Sequence, residues 1–262
     1  MRAIASDRAA VPHARQRQRW LSLAAGVLAL LLVGAATLSR TWHALEFKTF
    51  DVLTALAAPH RTPVPVVILA IDEPTFQELQ QTWPFPRSVH AALLERLRAD
   101  GALAVGLDIV FADPTTEAED AALDRTMAQV GQGLPVVLAS TREKIDSANA
   151  ALWMDIQPLQ RFLDAGADAG DAGVEPDDDF VVRRAPVARE GFALRLAQRV
   201  TEARGQTPAL HHFDWIGYRG PRGTFDTRSY YQALEPGLLP AGFFKGKICL
   251  LYTSDAADDS LR

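Results

Sequence analysis

The chain has 262 residues and a formal charge of −5, with 48% hydrophobic, 23% charged and 8% aromatic residues. That length allows one large domain or two small ones; ordinary apolar content and a single cysteine exclude a disordered chain, a collagen and a disulfide scaffold. The averages conceal an asymmetry: residues 1–19 hold five arginines against Asp7, a net of +4, while residues 20–39 hold no charge at all.

Twenty uncharged residues, wound as a helix at about 1.5 Å each, reach roughly 30 Å, the thickness of a bilayer's hydrocarbon core. Ser22, Gly26, Gly34 and Thr37 are types that a spanning helix tolerates, and Trp20 and Trp42 stand where interfacial aromatics belong. The arginine arm is expected in the cytoplasm and the chain after Arg40 outside, which makes the lipid bilayer the first partner. A cleaved signal peptide competes with the anchor, with Val33-Gly34-Ala35 as its cleavage site, although its apolar core would exceed the usual 7 to about 15 residues. Either reading exports the remainder.

The run from Cys249 to Asp259 looks like the translation of a transposase adapter used in sequencing-library preparation. The expected organisation is thus a basic arm (1–19), a transmembrane helix (20–39), an extracytoplasmic sensory domain (40–248) and an adapter-derived, non-native tail (249–262). The segment between arm and tail is acidic, which disfavours nucleic acid as a partner.

In chain order, Leu45, Phe50, Leu53 and Leu56 predict a juxtamembrane helix over 41–56, ended by Pro59 and Pro63. Residues 64–71 are apolar and β-branched, as a strand buried on both faces requires, and a loop is expected from there to the tryptophan at 83. Val89, Leu93, Leu94 and Leu97 mark a helix with Ser88 as its cap and Gly101 as its stop. A strand over 103–111 interrupted by Asp108, a helix about Leu123, Met127 and Val130, and a strand over 134–139 complete a β-α-β-α-β alternation. That pattern predicts an α/β fold, a mostly parallel sheet flanked by helices. Further on, 165–179 reads as a loop, 180–187 as a strand, and Phe192, Leu196 and Val200 as a helix before Gly205. Short strands are expected over 214–218, 227–233 and from 246 onward.

Several stretches together resemble the CHASE sensory domain of the second class, the cyclase- and histidine-kinase-associated extracellular sensor. They are Glu46-Phe47-Lys48-Thr49-Phe50-Asp51, Ile71-Asp72, Trp83-Pro84-Phe85-Pro86-Arg87, Gly106-Leu107-Asp108-Ile109-Val110-Phe111 and Phe244-Lys245-Gly246-Lys247-Ile248. The resemblance covers residues 41–248. It implies a bacterial receptor of the inner (cell) membrane with an N-terminal anchor, an extracytoplasmic domain, usually further membrane helices, and a cytoplasmic nucleotide cyclase, histidine kinase, diguanylate cyclase or protein kinase, none of which lies in this chain. Receptors of this layout commonly work as homodimers. Two departures stand out. Asp177-Asp178-Asp179-Phe180 precedes Arg183-Arg184 where the family tends to show an Asp-x-Asp-Gly turn, and Gln80-Gln81 stands where a glycine is expected.

Asp72 and Asp108 are expected at the carboxyl ends of neighbouring parallel strands, where α/β sheets bind ligands, with Arg87 opening the next helix. These three are the candidate contacts for a small polar signal; a structural ion pair or helix cap accounts for them equally. Trp83, Pro84 and Pro86 read as a rigid plug over the core. Residues 164–175 match a calcium loop at its first, fifth and twelfth positions, but Gly166 replaces a ligand and Ala169 the turn glycine. His211-His212 lacks a spaced third zinc ligand. The sequence holds no nucleophile elbow, Walker sequence or dinucleotide fingerprint, so no catalytic residue, cofactor or metal is assigned. The reading is a sensor for a small-molecule or periplasmic signal. Its alternatives are an exported hydrolase using Asp72, Glu73 and Asp108 as metal-binding carboxylates, and a structural envelope protein.

Overall fold

The computed structural model describes residues 11–58, 64–147, 150–185, 191–207, 215–221 and 223–253. They fall into two compact units, Met1–Ala58 and Pro59–Arg262. In the first, α1 (Val11–Thr37) contains a stretch, Gln16–Thr37, long and apolar enough to cross a membrane. Its leucines and valines from Leu21 to Val33 are exposed, as a lipid-facing helix requires. Ser39 then caps α2 (Arg40–Ala57), its Oγ accepting from the Trp42 amide at 3.2 Å. α1 ends at Thr37, and Ser39 serves as the cap of the helix that follows.

The second unit is α/β. Its strands are β1 (Val66–Ile71), β2 (Ala104–Leu107), β3 (Val136–Ser147), β4 (Ala150–Ile156), β5 (Asp168–Asp171), β6 (Asp226–Ser229) and β7 (Ile248–Thr253). Strands β3, β2, β7, β1 and β6 lie side by side in that order and run parallel. β5 joins β3 in parallel over its first part, and β4 pairs antiparallel with its second part. The helices are α3 (Glu73–Leu79), α4 (Arg87–Ala99), α5 (Glu117–Val130), α6 (Gln160–Asp164), α7 (Phe192–Ala203) and α8 (Tyr230–Leu234).

Alternation along the strands sorts the side chains to two faces. Leu69, Leu107 and Leu251 point to the main core, where Leu93, Leu97, Leu123, Phe162 and Tyr230 meet them. Ala104 and Val137 point the other way, onto Leu196 and Val200 of α7. Two glycines let α7 lie close to the sheet: a Cβ at Gly106 would fall 2.8 Å from the Phe192 ring, and one at Gly170 only 2.5 Å from the Phe192 Cα.

Part of the adapter-like run is packed into the sheet: Cys249–Thr253 belongs to β7 between β1 and β2, and Cys249 and Leu251 are fully buried. A strand covered on both faces asks only for consecutive apolar residues compatible with extended backbone, and Cys-Leu-Leu-Tyr supplies them whatever its origin. Residues 254–262 lie outside the described residues.

Other boundaries differ from expectation. The loop expected before Trp83 contains α3, the loop over 165–179 contains β5, and β3 runs past 139 into a hairpin with β4. Of the strands expected over 180–187 and 214–218, the described residues keep a single bridge, Arg184 to Trp215. The stretch 227–233 divides into the end of β6 and α8, because Ser229 forms a capping box with Gln232. Pro86, not Ser88, precedes α4; the Ser88 amide instead donates to Glu119 Oε2 of α5 at 2.7 Å.

Gly170→Ala forces the new methyl against the Phe192 backbone, which cannot rotate away. The variant is expected to lose about 1–3 kcal/mol in urea denaturation, whereas Gly133→Ala, in open space, stays within about 0.5 kcal/mol.

Candidate functional site

The candidate residues lie at the carboxyl edge of the sheet, but the sheet does not assemble them as expected. β1 and β2 are not neighbours. β7 runs between them, so Asp72 and Asp108 follow strands separated by roughly 10 Å, two inter-strand spacings.

Asp72 leaves β1 as the N-cap of α3. Its Oδ1 accepts from the Thr75 amide at 3.2 Å and from Thr75 Oγ1 at 2.7 Å, and its Oδ2 accepts from Ser229 Oγ at 2.6 Å. Ser229 is itself the N-cap of α8. The carboxylate thus ties the ends of β1 and β6 to the helices that follow them.

Arg87, the first residue of α4, is buried. Its guanidinium lies 4.4 Å from the Phe111 ring centroid, its Nη2 donates to the Asp113 carbonyl at 3.1 Å, and its Nε is 3.7 Å from Asp120 Oδ1. Burial pulls its pKa below the usual value, against the opposing pull of Asp120 and Asp113. Asp120 is buried too. Burial would raise its pKa, but hydrogen bonds from the Thr115 hydroxyl at 2.6 Å and amide at 3.0 Å, with the charges of Arg87 and Arg161, hold it low. Arg87 therefore braces α4 against α5.

Asp108 is exposed just past β2. Its amide donates to the Leu251 carbonyl at 2.9 Å, and its carboxylate has no hydrogen bond or ion pair among the described residues. Desolvation by the surrounding protein raises its pKa although the side chain reaches solvent. Of the three expected signal contacts, it alone keeps an uncommitted group.

The tryptophan motif packs as an aromatic cover. Trp83-Pro84 is a cis peptide, and Pro86 precedes α4. Phe85 is buried and stacks on Tyr230 with centroids 5.9 Å apart, while Trp83 lies edge-on to Phe85 at 5.6 Å with part of its ring exposed. Beneath them is His90, only 1% exposed, its Nδ1 sharing a hydrogen bond with Tyr230 Oη at 3.1 Å. Burial, assisted by Arg87, lowers its pKa to about 3, so the imidazole is neutral near pH 7.

Sequence reasoning did not single out His90, and it read Asp177 to Arg184 only as a departure from a turn pattern, not as an ion-pair cluster. Arg183 is 1% exposed; its Nη1 donates to Asp177 Oδ2 at 2.9 Å and Asp179 Oδ1 at 2.8 Å, and its Nη2 to Asp179 Oδ2 at 2.7 Å. Arg183 in turn holds the Asp179 carboxyl down at about 2. The turn that presents these carboxylates survives the departure from the family pattern, because Phe180 adopts φ 62°, the left-handed conformation usual for glycine. Gln80 has φ 52° at the end of α3, again where a glycine is expected. These are the only positive-φ residues other than glycine among the described ones, and both departures coincide with them.

The calcium-like run 164–175 is divided between α6, β5 and the turns around them, and the described residues hold no cluster of metal-binding side chains. His211-His212 lies outside the described residues. The family model described as CHASE2 domain matches residues 26–261. No curated protein and no solved structure matches the chain.

Two outcomes follow. Phe180 is 88% exposed, so Phe180→Gly relieves left-handed strain of about 1–2 kcal/mol with no lost packing, partly offset by the entropy of glycine. A rise of about 0.5–1 kcal/mol in urea denaturation is expected; a fall contradicts the strain.

For His90, the unfolded chain takes up a proton near 6.5 and the folded chain only near 3, so protons favour unfolding between those values. Its stability contribution is complete above about 6.5 and lost as pH falls towards 3. Between pH 7.5 and 5 the protein is expected to lose about 2 kcal/mol more than His90→Gln does. Equal slopes in paired urea titrations contradict the neutral buried imidazole.

Proposed function

Because the chain belongs to the CHASE2 family of extracellular sensory domains, we propose that it is the signal-input part of a bacterial transmembrane receptor. In this reading α1 anchors it in the inner membrane, the α/β unit stands on the outer side, and the output module, a nucleotide cyclase, histidine kinase, diguanylate cyclase or protein kinase, belongs to a longer protein. The observation that carries the reading is the succession of a helix without charge over 20–39, wholly exposed along its apolar length, and a family-matched α/β unit. The arginines of residues 1–19 favour the cytoplasmic side for the amino terminus.

The physical task of such a unit is to bias an equilibrium. A signal must bind one arrangement of the receptor better than another, since equal affinity for both moves nothing. The carboxyl edge is where α/β sheets meet ligands, and there Asp108 offers a carboxylate not yet engaged, suited to a cationic or hydrogen-bond-donating signal. Arg87 and Asp72 shape that edge from beneath, and α2 is the lever that passes the bias to the membrane helix.

The hydrolase alternative draws little support from the donor geometry. Asp72 is engaged by Thr75 and Ser229, Glu73 is exposed on α3, and Asp108 follows a strand beyond β7.

A reporter enzyme that is active only after export, fused after residue 60 in the full chain, is expected to be active. Activity of a cytoplasm-only reporter at the same junction overturns the topology and with it the receptor reading.

A further inference from the structure

Two residues, Leu38 and Ser39, separate the end of α1 at Thr37 from the start of α2 at Arg40. That connection is too short to carry the first turn of α2 away from the place where the apolar helix stops. Nor does α2 prolong that helix: Ser39 has ψ 145° where a helix needs about −42°, so the chain leaves the first helical path and begins a second with its own cap. α2 then buries none of its residues. Its surface is divided all the same. At about 100° per residue, Trp42, Leu45, Thr49, Val52, Leu53 and Leu56 fall within one arc of about 100°, and Arg40, His43, Glu46, Lys48 and Asp51 all fall outside it. The apolar side chains of that arc are exposed, Leu53 at 61% and Leu56 at 77%. Thr49 does not interrupt the stripe, because its hydroxyl donates to the Leu45 carbonyl at 2.8 Å and is satisfied within the helix. Trp42, at the end nearest α1, is a residue type that settles at headgroup level.

We propose that α2 lies flat on the outer leaflet of the bilayer, its apolar stripe sunk to the boundary between headgroups and acyl chains and its charged arc in water. The inference rests on the reading of α1 as a membrane anchor, which puts an apolar phase within reach of α2 from its first turn. An upright helix would carry Leu56 roughly 24 Å beyond Arg40 and leave the stripe in water. A two-stranded coiled coil is the poorer match. Its seam takes positions 42, 45, 49, 52 and 56, which leaves Leu53 bare and puts Trp42 and Thr49 where leucine, isoleucine or valine pack best. Arg40 and Lys48 balance Glu46 and Asp51, so the contact is apolar rather than electrostatic and calls for no anionic lipid. The lever then rests on lipid, and a signal that lifts it must favour the raised arrangement by more than the stripe gains from the leaflet.

The test places the full chain in vesicles of phosphatidylcholine and attaches a nitroxide to one introduced cysteine at a time. The native Cys249 is buried with its thiol pushed up to about 12, so it stays unlabelled. Collisions with oxygen, which concentrates in lipid, are compared with collisions with a water-soluble nickel chelate. Leu28→Cys, midway along the uncharged stretch, reports the anchor; Leu45→Cys, Leu53→Cys and Leu56→Cys report the stripe; Ala44→Cys, exposed outside the stripe, reports water. The oxygen-to-nickel ratio is expected to be more than about fivefold higher at all three stripe positions than at Ala44→Cys, and higher still at Leu28→Cys. A stripe ratio equal to that at Ala44→Cys overturns the proposal. So does a ratio that falls to the water level between Leu45→Cys and Leu56→Cys, as an upright helix gives. Low collision rates with both reagents along the stripe reveal a protein cover, a second copy included, and overturn it too. The two readings fail separately: a water-like Leu28→Cys removes the anchor and the flat helix together, whereas a lipid-like Leu28→Cys beside a water-like stripe removes the flat helix alone.

Discussion

β1 and β2 meet only through β7. Both strands are buried on their two faces, where no water reaches the backbone, so their inner amides and carbonyls must be satisfied by a strand between them. β7 does this for both at once: Ile248 is level with Val66 on one side and with Ala104 on the other, and Leu251 with Leu69 and Leu107. The main core follows from that placement, because Cys249 and Leu251 fill the layer between the leucines of the flanking strands. So does the spacing of the carboxyl edge, which sets Asp72 and Asp108 two strands apart.

That edge is rich in polar groups, yet most of them are engaged in holding the fold. Asp72 links β1, α3 and α8; Arg87 and Asp120 brace α4 against α5; His90 and Tyr230 satisfy one another beneath an aromatic cover. Buried charges and polar groups are tolerable only when paired, and each pairing here joins elements distant in sequence, from 33 residues apart for Arg87 and Asp120 to 157 for Asp72 and Ser229. Asp108, just past the end of its strand, keeps a carboxylate with no hydrogen bond or ion pair among the described residues. The edge thus combines a rigid base with an acid that the fold leaves unengaged among the described residues.

Much of this was legible in the sequence. The uncharged stretch, the buried strands β1 and β2 and the apolar spacing of α4, α5 and α7 announce themselves through composition and period, and the order of motifs gives the family. The order of strands does not: alternation says that strands are parallel, but nothing local says that the last one enters between the first two. Asp72, Arg87 and Asp108 were visible as polar residues next to apolar runs, but whether each was free or engaged depends on Thr75, Ser229, Asp113 and Asp120, which the fold brings in. His90 sat inside a helical pattern whose neighbours drew the attention, and Arg183 lost its signal when phenylalanine replaced the turn glycine. The adapter-like run shows the converse limit: apolar residues at the centre of a sheet satisfy packing whatever their provenance.

The position of β7 has a consequence for the birth of the molecule. Its partner β1 precedes it by about 180 residues, so at ordinary rates of synthesis, roughly 5–20 residues per second, some ten seconds or more separate the two strands as they leave the ribosome. During that interval the first and second strands can hold only a gap where their shared neighbour belongs. The unit cannot lock early. It stays threadable until β7 arrives, and that insertion joins the two strands across the hydrophobic interior.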